Sequence, residues 1–126
     1  MGQQIEMIQE LLHTNKDLEE RLRNSPIKVA YDDEHDMLFI TIGSPREAVM
    51  VEVDKRLHFR VDPETDQIIG MTITAFRKGF LSEHQDFKKH FETVFERPRM
   101  VETWELLPQT EASKRASTAL SALLPA

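Results

Sequence analysis

The chain of 126 residues carries 22 Asp and Glu against 16 Lys and Arg, a formal net charge of -6, with no Cys and 40% hydrophobic residues. That describes one small domain with extensions, with room for a modest core and none for a deep cofactor cleft between two lobes. The missing thiols exclude a disulfide framework, a zinc ribbon, an iron–sulfur cluster and a thiol nucleophile, and the acidic balance disfavours general binding to phosphate backbones.

Glu6 and Glu10 stand where a secretory leader would need a basic patch and an apolar run. No stretch approaches the roughly 20 apolar residues needed to cross a bilayer. A cytoplasmic location without a membrane partner is the expectation. Residues 3–23 contain no Gly or Pro and read as an amphipathic helix, the core of an N-terminal unit spanning 1–24. Ile8, Leu11, Asn15, Leu18 and Leu22 follow a 3-4 spacing. If Ile8, Asn15 and Leu22 are a positions and Leu11 and Leu18 are d positions, this is a short coiled-coil seam whose single polar Asn would fix register and oligomer number. The alternative is a helix laid on its own domain, its stripe widened by Ile5 and Leu12. Three heptads alone are marginal.

Asn24-Ser25-Pro26 breaks the helix. From Ile27 the apolar period falls to two: Ile27, Val29 and Tyr31; Leu38, Ile40 and Ile42; Val49, Val51 and Val53; Leu57, Phe59 and Val61; Ile69, Met71 and Ile73. Short polar turns between them favour antiparallel neighbours. The reading is an α+β fold, a five-stranded antiparallel β-meander with a helix on one face, occupying 27–97. The alternate face also holds apolar groups, Met37, Phe39, Met50 and Ile68, which one helix cannot cover, so the N-terminal helix, the C-terminal arm or another subunit is needed there, and self-association is the preferred reading.

After Ala75 the period returns to helical. Ser82 with Gln85 suggests a capping box, and Phe80, Phe87, Phe91, Val94 and Phe95 form a core-facing stripe that stops before Pro98. Residues 98–126 read as a C-terminal arm or tail. Met100, Val101, Trp104, Leu106 and Leu107 suit an edge strand or extended arm. Over 111–124 Ala116, Leu120, Leu123 and Leu124 share one helical face, so that segment is either a weak amphipathic helix that docks on a partner or a frayed tail, with terminal position favouring the tail.

The string Ile27-Lys28-Val29-Ala30-Tyr31-Asp32-Asp33-Glu34-His35-Asp36-Met37-Leu38-Phe39-Ile40 runs from an apolar strand through Tyr-Asp and three variable residues to Asp, Leu, an aromatic and Ile. Val51-Glu52-Val53, the turn Asp62-Pro63-Glu64-Thr65 and the strand Ile69-Gly70-Met71-Thr72-Ile73 follow in order. Over about residues 27–76 this resembles a widespread bacterial family of small proteins, the domain of unknown function 2283. His58-Phe59-Arg60 departs from its plainer pattern. The resemblance marks Tyr31, Asp32, Asp36, Asp62 and Pro63 as motif turn residues. It implies no catalytic residue, and at most an antitoxin-like role in which 98–126 wraps a toxin.

The residues offer little chemistry of their own. Asp32, Asp33, Glu34 and Asp36 crowd one turn and Asp62, Glu64 and Asp66 another. A calcium loop would need Gly where Gln67 sits and Glu where Ile73 sits, so turn-forming hydrogen bonds are the better reading. No metal site and no cofactor are expected. His84 and His90 miss the spacing that places two imidazoles on one helical face. An acid/base pair of His35 and Asp36, with Asp62, is the remaining enzymatic alternative, a small hydrolase or isomerase. The basic side of the second helix, Arg77, Lys78, Lys88, Lys89 and Arg97, is interspersed with acids and reads as a solvated face. The leading reading is a non-enzymatic oligomerisation or protein-interaction module, a homodimer first.

Overall fold

The computed structural model describes residues 2–94 and 103–124, with side chains at 6–89 and 105–124. Helices α1 (Gly2–Thr14) and α2 (Leu18–Asn24) precede strands β1 (Ile27–Asp32), β2 (Met37–Ile42), β3 (Val49–Glu52), β4 (Leu57–Val61) and β5 (Ile68–Ile73). A π-helical turn (Phe76–Phe80), a single turn α3 (Leu81–Glu83), helix α4 (Gln85–Val94), strand β6 (Thr103–Leu106) and helix α5 (Glu111–Ser121) follow. No helix among the described residues is long and apolar enough to cross a membrane.

Among the described residues the antiparallel sheet has six strands in the order β3-β4-β5-β2-β1-β6, so the sequential five-stranded meander needs correcting. Residues β3 to β5 do form a meander, but β2 pairs with β5 and the link 43–48 carries the chain past two strands to the far edge. Burial explains the order. Every residue of β5 is buried, which suits a strand in mid-sheet, whereas β3 is exposed at all positions but half-buried Val51. The sixth strand, from the segment read as an arm, pairs with β1.

One sheet face makes the core. Ile27, Val29, Leu38, Ile40, Leu57, Phe59 and Met71 join Leu18 and Leu22 of α2, Phe76, Phe80 and Phe87, and Ala116, Ala119 and Leu120 of α5 in one apolar cluster. Helix α5 is therefore no frayed tail. Thr110 caps α5 by accepting the Ser113 amide at 3.1 Å, and buried Ser113 and Ser117 donate to the carbonyls of Arg23 and Glu19. Small side chains at 113, 116, 117 and 119 let α5 approach α2 closely, a packing signal that terminal position had overridden in the sequence reading.

Ser82 does not cap α4. Its hydroxyl donates back to the Gly79 carbonyl at 2.8 Å, and the Gln85 side-chain amide donates to the Ser82 carbonyl. Of the aromatic stripe, Phe80 and Phe87 are buried and meet edge to face, with Phe76 added to them. The side chains of Ile5, His90, Phe91, Val94 and Trp104, and residues Phe95, Arg97, Pro98, Met100 and Val101, lie outside the described residues.

Candidate functional site

The first acidic turn is a structural knot. Asp36 adopts a left-handed conformation (φ 53°), which Asp tolerates better than most residues. Its buried carboxylate accepts the Tyr31 hydroxyl at 2.7 Å and the Arg77 and Lys78 amides at 2.9 and 3.1 Å. The β1–β2 hairpin is thereby tied to the start of the π-helical turn, whose first amides need acceptors. Burial works against the Asp36 charge, but the Arg77 amide, the Tyr31 hydroxyl and the Lys78 amide and charge outweigh it and hold the carboxyl below its ordinary range. The Tyr31 hydroxyl is pushed up to about 12 by burial first and by its bond to Asp36 second. The Arg77 guanidinium lies over the Tyr31 ring, 4.6 Å from its centre.

His35 faces away from this knot. Its Nδ1 lies 2.8 Å from Oδ2 of Asp32, an exposed pair in which the imidazole holds the Asp32 carboxyl below its usual range. Asp62 directly follows β4, which runs opposite to β1, so Asp62 and Asp36 sit at opposite ends of the sheet. There Asp62 accepts Arg46 Nη1 at 2.9 Å and the Glu64 amide at 2.9 Å, closing the turn that Pro63 enters. His35, Asp36 and Asp62 do not converge, and the acid/base constellation is not assembled. Among the described residues no group of three or more His, Asp or Glu is placed to hold a metal ion.

The heptad seam is placed inside the chain. Ile8, Leu11, Leu18 and Leu22 are all buried, and the helix is broken at 15–17. Asn15, a poor helix former whose side chain competes with the backbone, explains the break. Its Nδ2 donates to the carbonyls of Leu11 (2.8 Å) and Asp66 (2.9 Å), and its Oδ1 accepts the Ile68 amide and Arg21 Nη2, both at 2.7 Å. Arg21 Nη1 then donates to the Ile68 carbonyl at 2.8 Å. Asn15 and Arg21 together seal the start of β5. The polar residue that breaks the seam is a helix-to-sheet clamp within one chain.

Among the described residues the buried apolar cluster lies on one face of the sheet, and β3 is an edge with no further strand beside it. In register across the other face lie Ala30, Phe39, Thr72, His58 and Glu52, and beside them Lys28, Thr41, Gly70, Arg60 and Met50. The Arg60 stem passes over Gly70, where an added Cβ would also lie 2.4 Å from the Ile40 carbonyl. Met37 and Phe39 are half-buried on this face; Ile68, read as part of it, is buried where a bulge between Arg60 and Val61 shifts the register. Among the described side chains the large apolar ones left exposed are Met7 (49%), Val49 (50%), Met50 (56%) and Leu107 (61%). Three of these four border the outer strand β3: Val49 and Met50 are in it, and Met7 lines the same hollow as Val49 and Val51.

Both halves of the Tyr-Asp hairpin motif and the Asp-Pro turn are now accounted for as chain-closing devices. Residues 28–77 match the family described as Protein of unknown function (DUF2283). No curated protein and no solved structure matches the chain. The DUF2283 segment starts in β1 and ends on Arg77, the residue whose amide completes the Asp36 knot. Motif residues Tyr31, Asp36 and Asp62 are partners in these closures, and Asp32 and Pro63 shape the turns. The helices α1, α2, α4 and α5 and strand β6 come from outside the matched stretch. Reading the sequence missed Arg21, Arg46 and Arg77 as partners of these turns. Arg21 is marked only by its i, i+4 spacing from Asp17, and the other two by nothing local.

Proposed function

We propose that the protein is a non-enzymatic interaction module that self-associates through the β3 side of its sheet. The observation that carries this reading is the concentration of exposed Met7, Val49 and Met50 around one outer strand, while the turn carboxylates of the motif are engaged in internal hydrogen bonds. An outer strand with exposed Val49 and Met50 and half-buried Val51 is a template for another strand, and single chains normally blunt such an edge with Lys, Pro or a covering loop. No Lys or Pro stands in β3. The same engagement of Asp36 and Asp62 argues against hydrolysis or isomerisation, because neither carboxylate is within reach of His35.

Light scattering during size-exclusion chromatography, from low micromolar to near-millimolar protein, tests the reading. A mass of twice 14.7 kDa at the upper end is expected. A constant monomer mass over the whole range overturns it.

A further inference from the structure

We infer that the second copy adds its own β3 to this edge, antiparallel and centred on Val51, to give one continuous sheet through the pair. This rests on the self-association proposed above and specifies its surface and register. The hydrogen bonds of the sheet fix which groups point outward. Val53 donates its amide to the Leu57 carbonyl at 2.9 Å, and on the other side of β4 Thr74 donates to the Arg56 carbonyl at 2.8 Å. Antiparallel pairs alternate between bonded and non-bonded residues, so Val49, Val51 and Val53 bond toward β4 while the backbone groups of Met50 and Glu52 point away from it.

Only registers that keep bonded residues opposite bonded residues also keep the core face on one side. Three two-fold arrangements then compete. Centring on Met50 sets Val53 against Glu47 of the other copy. Centring on Glu52 sets two Glu52 carboxylates opposite each other, which is destabilising. Centring on Val51 pairs Val49 with Val53, Val51 with Val51 and Val53 with Val49, and places Glu52 opposite Met50. The valines of the run Val49-Met50-Val51-Glu52-Val53 are placed symmetrically about Val51, as an isologous two-fold contact requires.

Met50 is in register with Arg60 on β4, and Glu52 with His58. In the Val51-centred pair each Glu52 enters the row that holds Met50 and Arg60 of the other copy, directly opposite Met50. Met7 and Val49, half exposed in one copy, lie over the new valine ladder.

The absence of Cys makes the register directly readable. Val51 faces its own counterpart at a non-bonded position, where side chains approach most closely, within the Cβ separation a disulfide spans. Mild oxidation of Val51→Cys is expected to convert nearly all of the protein to a covalent dimer, with Phe39→Cys and Met50→Cys at least about tenfold slower. Met50→Pro removes an outward amide and leaves the bonds to β4 intact, and it should weaken dimerisation at least about tenfold; Met50→Lys does the same by charge and guards against a folding defect from Pro. If the wild-type chain dimerises but Phe39→Cys crosslinks and Val51→Cys does not, the edge register is overturned while self-association stands. A monomeric wild-type chain overturns both.

Discussion

Strands β5 and β3 belong to one sheet and are similar in apolar content, yet the fold treats them oppositely. All six residues of β5 are buried, and its first backbone groups are sealed by Asn15 and Arg21 reaching over from the helices. The three apolar residues of β3 are exposed or half-exposed, and among the described residues the strand has a neighbouring strand on one side only. A central strand must have every backbone and side-chain group satisfied inside the chain, because water cannot reach it. An outer strand keeps groups that a partner can satisfy. Substitutions in and around β5 should therefore be read out as folding, and substitutions in β3 as association.

The largest effect is expected at Gly70. A Cβ there would lie 2.4 Å from the Ile40 carbonyl in the neighbouring strand, which has no freedom to retreat. Gly70→Val should cost about 3 kcal/mol or more, a large share of the roughly 5–15 kcal/mol by which a domain is stable. Circular dichroism with urea is expected to show a chain largely unfolded or with a much reduced midpoint. A midpoint within error of wild type would mean that β2 and β5 are not in this register.

Asn15→Leu separates two readings with opposite signs. In a coiled coil, replacing the single polar a residue with Leu raises stability and loosens oligomer choice. In the structure the substitution strands the Ile68 amide and removes a partner of the Arg21 guanidinium, and each buried group left unsatisfied costs about 1–3 kcal/mol. A lower urea midpoint, by about 2–4 kcal/mol after extrapolation, is the expected result. A rise would return this residue to an intermolecular seam.

The Asp36 knot should limit stability at both ends of the pH range, with a smaller effect. Asp36 has a depressed carboxyl pKa in the fold, so its contribution is complete above the unfolded value of about 3.9 and is lost as pH falls through the folded one. Tyr31 is raised to about 12, so the advantage of its neutral hydroxyl is complete below about 10 and is lost as pH rises toward 12. Tyr31→Phe should flatten the alkaline limb, and Asp36→Asn the acid limb. The Asn variant keeps an acceptor and a side chain tolerant of the left-handed backbone, so it isolates the charge. Urea midpoints unchanged in slope between pH 9 and 12 for Tyr31→Phe and wild type alike would remove the knot as a pH-sensitive element.

The contrast between the two strands also marks what could be read in the sequence. Period-two runs located the five strands from Ile27 to Ile73, because side chains alternate across a pleat whatever lies next to them. Strand order was not legible, since it depends on which strand can tolerate burial on both faces. The clue was present in Ile68-Ile69-Gly70-Met71-Thr72-Ile73, which is nearly apolar on both faces and therefore central. For the turn residues, Asp36 and Asp62 were legible as turn formers by residue type, but their partners Arg77 and Arg46 are set by tertiary closure. Asn15 was legible as an exception to its stripe. Its bonds to Asp66 and Ile68 were not, because a lone polar residue in an apolar stripe fits equally a partner helix or its own sheet.

The smallest effect on folding, and the most direct test of the contrast, is Met50→Lys measured on the monomer. Met50 is 56% exposed and contributes nothing to the buried cluster, so replacing it should move the urea midpoint of dilute protein by no more than about 0.5 kcal/mol. Lys on an outer strand is also a common means by which single chains block strand addition. If Met50 belonged to a sheet interior as β5 does, a buried ammonium at this position would be strongly destabilising. A variant that folds like wild type when dilute but no longer associates when concentrated separates the two properties on one residue. That outcome would fix β3 as an edge whose apolar surface is needed by the pair and not by the fold.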